Sequence, residues 1–200
     1  MIWRKIHRWL SIPLGIFIFL ICISGALLAF ERELSAAFAP DATGKLPFFT
    51  AVHSLHRSLC LGAIGKLVVG YSTIAFVFIL ISGLIMWIKR ARHNFRRSFS
   101  IVFPSPLRGM HIALGVYVMI ILLLCALTGL TWSFNWFRDA VYFLFESHTS
   151  VPLFHYISGL HTGRIGGMPF RILWCIAVII GVSLPVTGYW IYFSRKRRKK

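Results

Sequence analysis

The sequence predicts an all-α integral membrane protein: four transmembrane helices forming two parallel two-helix repeats about a pseudo-twofold axis along the membrane normal. Three observations carry this expectation. Of the 200 residues, 58% are apolar and only 14% are charged, roughly half the charged share of an ordinary soluble domain. Four apolar runs are each long enough to cross a bilayer, which takes about 20 helical residues. The spacing of histidines and glycines in the first half recurs in the second. The net charge of +17 would suit nucleic acid on a polar framework, but this composition has none, so membrane lipids are expected and nucleic acid is not.

The four runs fall at about Leu10–Phe30, Leu67–Ile88, Ile112–Trp132 and Ile172–Phe193. The first has a basic start and small residues near Ala36–Ala39, as a secretory signal would. Its apolar core is too long for one, so it reads as an uncleaved span. Orientation follows from Lys and Arg. Arg4, Lys5 and Arg8, then Lys89, Arg90, Arg92, Arg96, Arg97 and Arg108, then the tail Arg195–Lys200 put fifteen cations and no acid on one side. All five acids (Glu31, Glu33, Asp41, Asp139, Glu146) fall on the other with seven cations. Both termini are therefore expected in the cytoplasm of a bacterial inner membrane, the basic tail serving as topology signal and anionic-lipid contact. A single domain spans 1–200, with one repeat at about 1–95 and the other at about 105–200.

Each run contains a small hydroxyl residue followed by glycine: Ser24-Gly25, Ser82-Gly83, Thr128-Gly129 and Thr187-Gly188. Such pairs let helices approach closely. His7 to Gly25 and His111 to Gly129 are both 18 residues; His56 to Gly83 and His161 to Gly188 are both 27. The first run thus maps on the third at an offset of 104 and the second on the fourth at 105. The halves share one orientation, so a parallel repeat places His7 beside His111 and His56 beside His161. Two imidazoles facing each other in an apolar helix bundle suit axial ligation of haem iron. One pair at each side makes an electron path of two haems. A two-histidine zinc site would need further ligands.

The remaining histidines have no repeat partner. His93 reads as a solvated residue among arginines. His53, one turn before His56, is a candidate to replace it as ligand or to bind a substrate metal. His148 and His155 lie near Glu146, as loop residues or as metal-docking groups. Cys22, Cys125 and Cys175 read as small apolar packing residues, and with Cys60 they offer no disulfide framework or metal spacing.

The strings HRWLSIPLGIFIFLICISGALLAF, LHRSLCLGAIGKLVVGYSTIAFVFILISGLIMW, MHIALGVYVMIILLLCALTGLTW and LHTGRIGGMPFRILWCIAVIIGVSLPVTGYWIYF resemble the PepSY-associated transmembrane family, which includes bacterial inner-membrane ferric and ferric-siderophore reductases. The resemblance covers most of the chain. It implies two haem b groups with His7, His56, His111 and His161 as ligands, and electron transfer from the cytoplasmic side to periplasmic ferric iron. Many members carry a large extracytoplasmic insert. Here the loops are about 35 residues each, which favours free ferric ion or a small ferric chelate, as in the family's short ferric reductases.

His56 precedes Lys89 by 33 residues, about 50 Å as one helix. A bend is therefore expected at Gly62 and Gly65, and at Gly163, Gly166, Gly167 and Pro169. Arg57 and Arg164 are the nearest cations for haem propionates at that side, Arg8 and Arg108 at the other; all four also suit interfacial anchoring. Ferric ion favours carboxylates, so Glu31, Glu33, Asp139 and Glu146 are candidate docking residues, or simply surface acids. Trp132 and Trp136 fit an aromatic belt.

The sequence holds no GxGxxG, P-loop, HExxH or Ser/His/Asp arrangement. Electrons are expected from quinol or from a separate cytoplasmic flavin reductase. The expectation is a haem-dependent ferric reductase supporting iron uptake. A cytochrome b subunit linking quinone to a partner enzyme, and a small transporter or scaffold without haem, are the alternatives; a homodimer is left open.

Overall fold

The computed structural model describes residues 2–39, 46–101, 105–145 and 152–197. The described residues are helices and their connections, in the order α1 (Ile2–Ala29), α2 (Glu31–Phe38), α3 (Pro47–Ser58), α4 (Gly62–Ala91), α5 (Phe95–Ser98), α6 (Pro106–Ser133), α7 (Asn135–Phe145), α8 (Leu153–Thr162) and α9 (Gly167–Arg197). Four of them are long and apolar enough to cross a membrane: α1, α4, α6 and α9, the last extended by the 3₁₀ turn Arg164–Gly166. At 1.5 Å per residue, helices of 28 to 31 residues measure about 42–47 Å, beyond the roughly 30 Å hydrocarbon layer. The expected runs lie inside these helices, except that Phe30 falls in the turn after α1, and the helices continue into the polar flanks.

The long helices form a ring in which α1 and α6 each pack against both α4 and α9. One end of the ring carries the start of α1, the end of α9 and α5, and is called the terminal end. The other carries α2, α3, α7 and α8, and is called the loop end. Midway along the helices, Leu80, Val118, Leu122 and Ala177 form a buried apolar layer with Phe76, Met119, Val178 and Leu184 packed around it. Leu122 is 1% exposed, and Gly181 lets it in: a Cβ there would stand 2.8 Å from Leu122 Cδ2.

The segments read as loops contain short helices, and their order repeats: α1–α2–α3–α4 is followed, after α5, by α6–α7–α8–α9. α2 starts with Glu31 and Glu33 in its first turn, where the helix dipole favours acids. α3 starts with Pro47, whose missing N–H costs a helix start nothing.

The bend before α4 includes the expected Gly62, left-handed at φ 58°, but begins earlier and does not use Gly65. The chain turns at Leu59 and Cys60, both left-handed at φ 50° and 60°, and α4 starts at Gly62. The turn is held by Leu59 N–H to Leu55 O at 2.9 Å and Cys60 N–H to Ser54 O at 3.2 Å. Gly65 does not bend; it lies inside α4 against the Ser58 carbonyl, where a Cβ would overlap that oxygen. In the second half the bend uses the left-handed Gly163 and Gly167. Gly166 lies in the 3₁₀ turn and Pro169 in the first turn of α9, where its ring does no harm.

Candidate functional site

His7 stands in the second turn of α1 and His111 in the second turn of α6, while His56 and His161 stand near the C-terminal ends of α3 and α8. The fold brings them together as two facing pairs. The His7 and His111 ring centres are 6.3 Å apart at the terminal end, and those of His56 and His161 are 6.1 Å apart at the loop end. A metal held between two imidazoles at about 2 Å from each nitrogen puts the ring centres roughly 6 Å apart. Along α6, His111 and Thr128 (which contacts His161) are separated by 17 residues, about 25 Å of helix.

The Ser/Thr-Gly pairs do more than allow close helix packing: each one cradles a histidine. His7 Nδ1 lies 3.0 Å from Ile79 O and 3.1 Å from Ser82 Oγ. His56 Nδ1 lies 2.9 Å from Ile21 O and 3.2 Å from Ser24 Oγ. His161 Nδ1 lies 3.0 Å from both Cys125 O and Thr128 Oγ1. His111 Nδ1 lies 2.8 Å from Thr187 Oγ1. The following glycine makes room for the ring. A Cβ on Gly25 would stand 3.0 Å from His56 Cε1, one on Gly129 3.2 Å from His161 Cε1, and ones on Gly83 and Gly188 3.5 Å from His7 and His111 Cε1.

At His7, His56 and His161 the carbonyl can only accept, and at His111 the Thr187 hydroxyl, which donates within its own helix, accepts, so Nδ1 carries the proton and Nε2 keeps its lone pair for a ligand. Metal-bound histidines are oriented in this way by a partner on the other ring nitrogen. Burial lowers the pKa of His56 below the ordinary imidazole range, with His53 and Arg57 adding to the effect. Burial, and then His56, lowers that of His161 to about 4. Both rings are therefore neutral near pH 7, as iron ligation requires.

A cavity of about 810 Å³ opens beside the loop-end pair, within the range of small-molecule sites. Ile18, Val69, Phe76, Leu122 and Trp174 supply apolar wall, and Arg57, Lys66 and Arg164 bring cations to it. The ring of Trp132 lies edge-on to His161 at 5.2 Å between centres, so Trp132 belongs to this site rather than to an outer belt; Trp136 is exposed. Cys22, Cys125 and Cys175 also line the cavity. A neutral imidazole pair, apolar walls and peripheral cations together fit a haem, whose macrocycle is apolar and whose propionates are anionic. Among the described residues no group of three or more His, Cys, Asp or Glu could hold a bare metal ion.

Of the acids expected to dock iron, the three among the described residues, Glu31, Glu33 and Asp139, have separate partners. Glu31 lines the cavity and bonds His53 Nε2 at 2.8 Å, so His53, which lines the same cavity as His56, is held as the partner of an acid. Glu33 pairs with the buried Arg171 of α9, whose guanidinium also lies 5.0 Å over the Phe30 ring. That bond holds the Glu33 carboxyl below its usual range. Asp139 is exposed and pairs with Arg138 at 3.0 Å. Glu146 and His148 lie outside the described residues. His155 is exposed on α8 and touches the Phe154 ring; His93 is exposed beyond α4; Arg8 is exposed and Arg108 half-buried. Ser24, Ser82, Thr128 and Thr187 are the site residues that sequence reasoning missed as histidine partners. Their signal was present, since each precedes a repeat-matched glycine.

A family model described as the PepSY-associated TM region matches residues 4–46, 41–155 and 145–195. No curated protein and no solved structure matches the chain.

Proposed function

Because the chain belongs to the PepSY-associated TM region family, we propose that it is an inner-membrane b-type cytochrome that carries electrons from the cytoplasmic side to reduce a small ferric chelate, or ferric iron, in the periplasm in support of iron uptake. The observation that carries this reading is the pair of facing histidine pairs, each ring held through Nδ1, at opposite ends of one apolar bundle. Haem iron supplies a one-electron couple.

The residues of the chain do the rest. His7 and His111 would hold one haem; His56 and His161 would hold the other. Between them, Leu80, Val118, Leu122 and Ala177 keep water out of the bundle centre. Arg57, Arg164 and Lys66 offer the charge that propionates at the loop end need. Three cations against Glu31, which His53 already engages, leave a surplus of positive charge that the two propionates would neutralise. The basic terminal end fits the cytoplasmic side, with quinol or a separate flavin reductase as electron source.

The test has two steps. Oxidised and dithionite-reduced spectra with a pyridine haemochromogen assay should give two low-spin b haems per chain; the absence of any chromophore would sink the reading. Proteoliposomes of known orientation, with reductant inside and a ferrous-specific dye outside, should then develop colour with ferric citrate in a manner dependent on His56 and His161. If a quinone reoxidises the haems and no ferric species does, the chain is instead an electron-transfer subunit for a quinone-linked partner.

A further inference from the structure

We propose that Ser24, Ser82, Thr128 and Thr187 are positioning residues that set the donor strength of the four imidazoles, with Thr187 dominant. The proposal rests on reading the histidines as iron ligands. The hydroxyl hydrogens are already committed within their own helices. Ser24 Oγ donates to Leu20 O and Ile21 O at 2.6 and 3.0 Å, and Ser82 Oγ to Ile79 O at 2.8 Å. Thr128 Oγ1 donates to Cys125 O at 3.2 Å, and Thr187 Oγ1 to Ser183 O and Leu184 O at 3.0 and 3.1 Å. Each hydroxyl can therefore only accept from the imidazole. Carbonyl and hydroxyl together fix the Nδ1–H tautomer.

The four cradles are unequal. His56 is closer to the carbonyl of Ile21 (2.9 Å) than to Ser24 (3.2 Å), and His7 is closer to that of Ile79 (3.0 Å) than to Ser82 (3.1 Å). His161 is equidistant from its two acceptors at 3.0 Å. His111 makes its short bond to the Thr187 hydroxyl, 2.8 Å, with the Leu184 carbonyl as secondary acceptor. Removing the hydroxyl leaves His56 with its main acceptor and deprives His111 of its own. An imidazole with a weaker Nδ1–H acceptor is a weaker donor at Nε2. It stabilises the ferric state less, and the potential rises.

The experiment uses the full chain purified with its haem. Thr187→Ala should retain two haems and shift the reduction equilibrium of the terminal-end haem three- to tenfold toward ferrous, about 30–60 mV at 59 mV per tenfold for one electron. Thr187→Ser should restore the wild-type value, and Ser24→Ala should shift its haem twofold or less. Loss of only the terminal-end haem in Thr187→Ala, with retention in Thr187→Ser, is the stronger form of the same result; an intact loop-end haem shows that the variant has folded. A second readout needs no haem: side-chain ¹⁵N spectra of haem-free protein should show His111 protonated at Nδ1, and a tautomer mixture in Thr187→Ala. An unchanged potential and tautomer in Thr187→Ala, or a larger shift in Ser24→Ala, would overturn the proposal with the haem reading intact. If the wild-type chain carries no haem, the ligand reading fails, and the ¹⁵N spectra alone decide whether the hydroxyls position the rings.

Discussion

His56 and His161, 105 residues apart in the chain, face each other across the loop end with ring centres 6.1 Å apart, and each is held by a helix of its own half. His56 leans on Ser24 of α1 and His161 on Thr128 of α6. At the terminal end His7 leans on Ser82 of α4 and His111 on Thr187 of α9. Each half thus orients two imidazoles by itself, and a bound metal would join one half to the other.

Ligand substitutions should therefore act in pairs. His56→Ala or His161→Ala should remove the loop-end haem and bring the haem content from two per chain to one, with the other spectrum retained. His7→Ala or His111→Ala should do the reverse. His93→Ala should change neither, since His93 is exposed beyond α4. Equal damage from His93→Ala would discredit the assignment.

The glycine cradles predict a gradient. Gly25→Ala and Gly129→Ala press a Cβ to 3.0 and 3.2 Å from a histidine carbon, whereas Gly83→Ala and Gly188→Ala leave 3.5 Å. The first two should weaken loop-end haem retention by about tenfold or more; the other two should be nearly silent. Alanine is the better helix former by about 1 kcal/mol, so helix content measured by circular dichroism should not fall. A haem loss that tracks helix loss would point to misfolding instead.

The Glu33–Arg171 pair predicts a pH dependence of stability. The folded-state pKa of Glu33 lies below its unfolded value because Arg171 bonds the carboxylate. The contribution is therefore present above the usual carboxylate range, about pH 4, and is lost as pH falls through the lower folded value. Glu33→Gln should lower the midpoint of thermal unfolding at pH 7 by roughly 2–4 °C, and the difference should close on acidification below pH 4. A difference that persists there would assign the effect to packing.

Charge at the cavity predicts a rate effect. Glu31→Gln removes a negative charge from the cavity lining and should speed reoxidation of the reduced haems by ferric citrate, an anion, a few-fold at low salt, with the gain fading at high salt. Asp139→Asn, exposed and paired locally, should leave the rate unchanged. Stopped-flow traces of the haem band read this directly, and a slower Glu31→Gln would restore Glu31 as a docking carboxylate.

Composition and hydropathy alone determined the four spans, because a bilayer crossing demands about 20 apolar residues in a row and leaves little room for ambiguity. The matched intervals from His7 to Gly25 and from His111 to Gly129 likewise marked the four histidines, since a duplicated spacing survives in one dimension. What the spacing could not say is which helix holds which ring. The hydroxyl 17 residues after His7 on its own helix, Ser24, serves His56, and His7 is served by Ser82, because a helix points residues so far apart at opposite ends of the bundle. The acids show the same limit. Glu31 and Glu33 stand two positions apart in sequence, yet two positions on a helix do not share a face, and tertiary packing gave one to His53 and the other to Arg171. The bend at Leu59 and Cys60 was hidden for a different reason: left-handed backbone at non-glycine residues has no residue-type signal, and only the closure of α3 back onto α1 and α4 requires it.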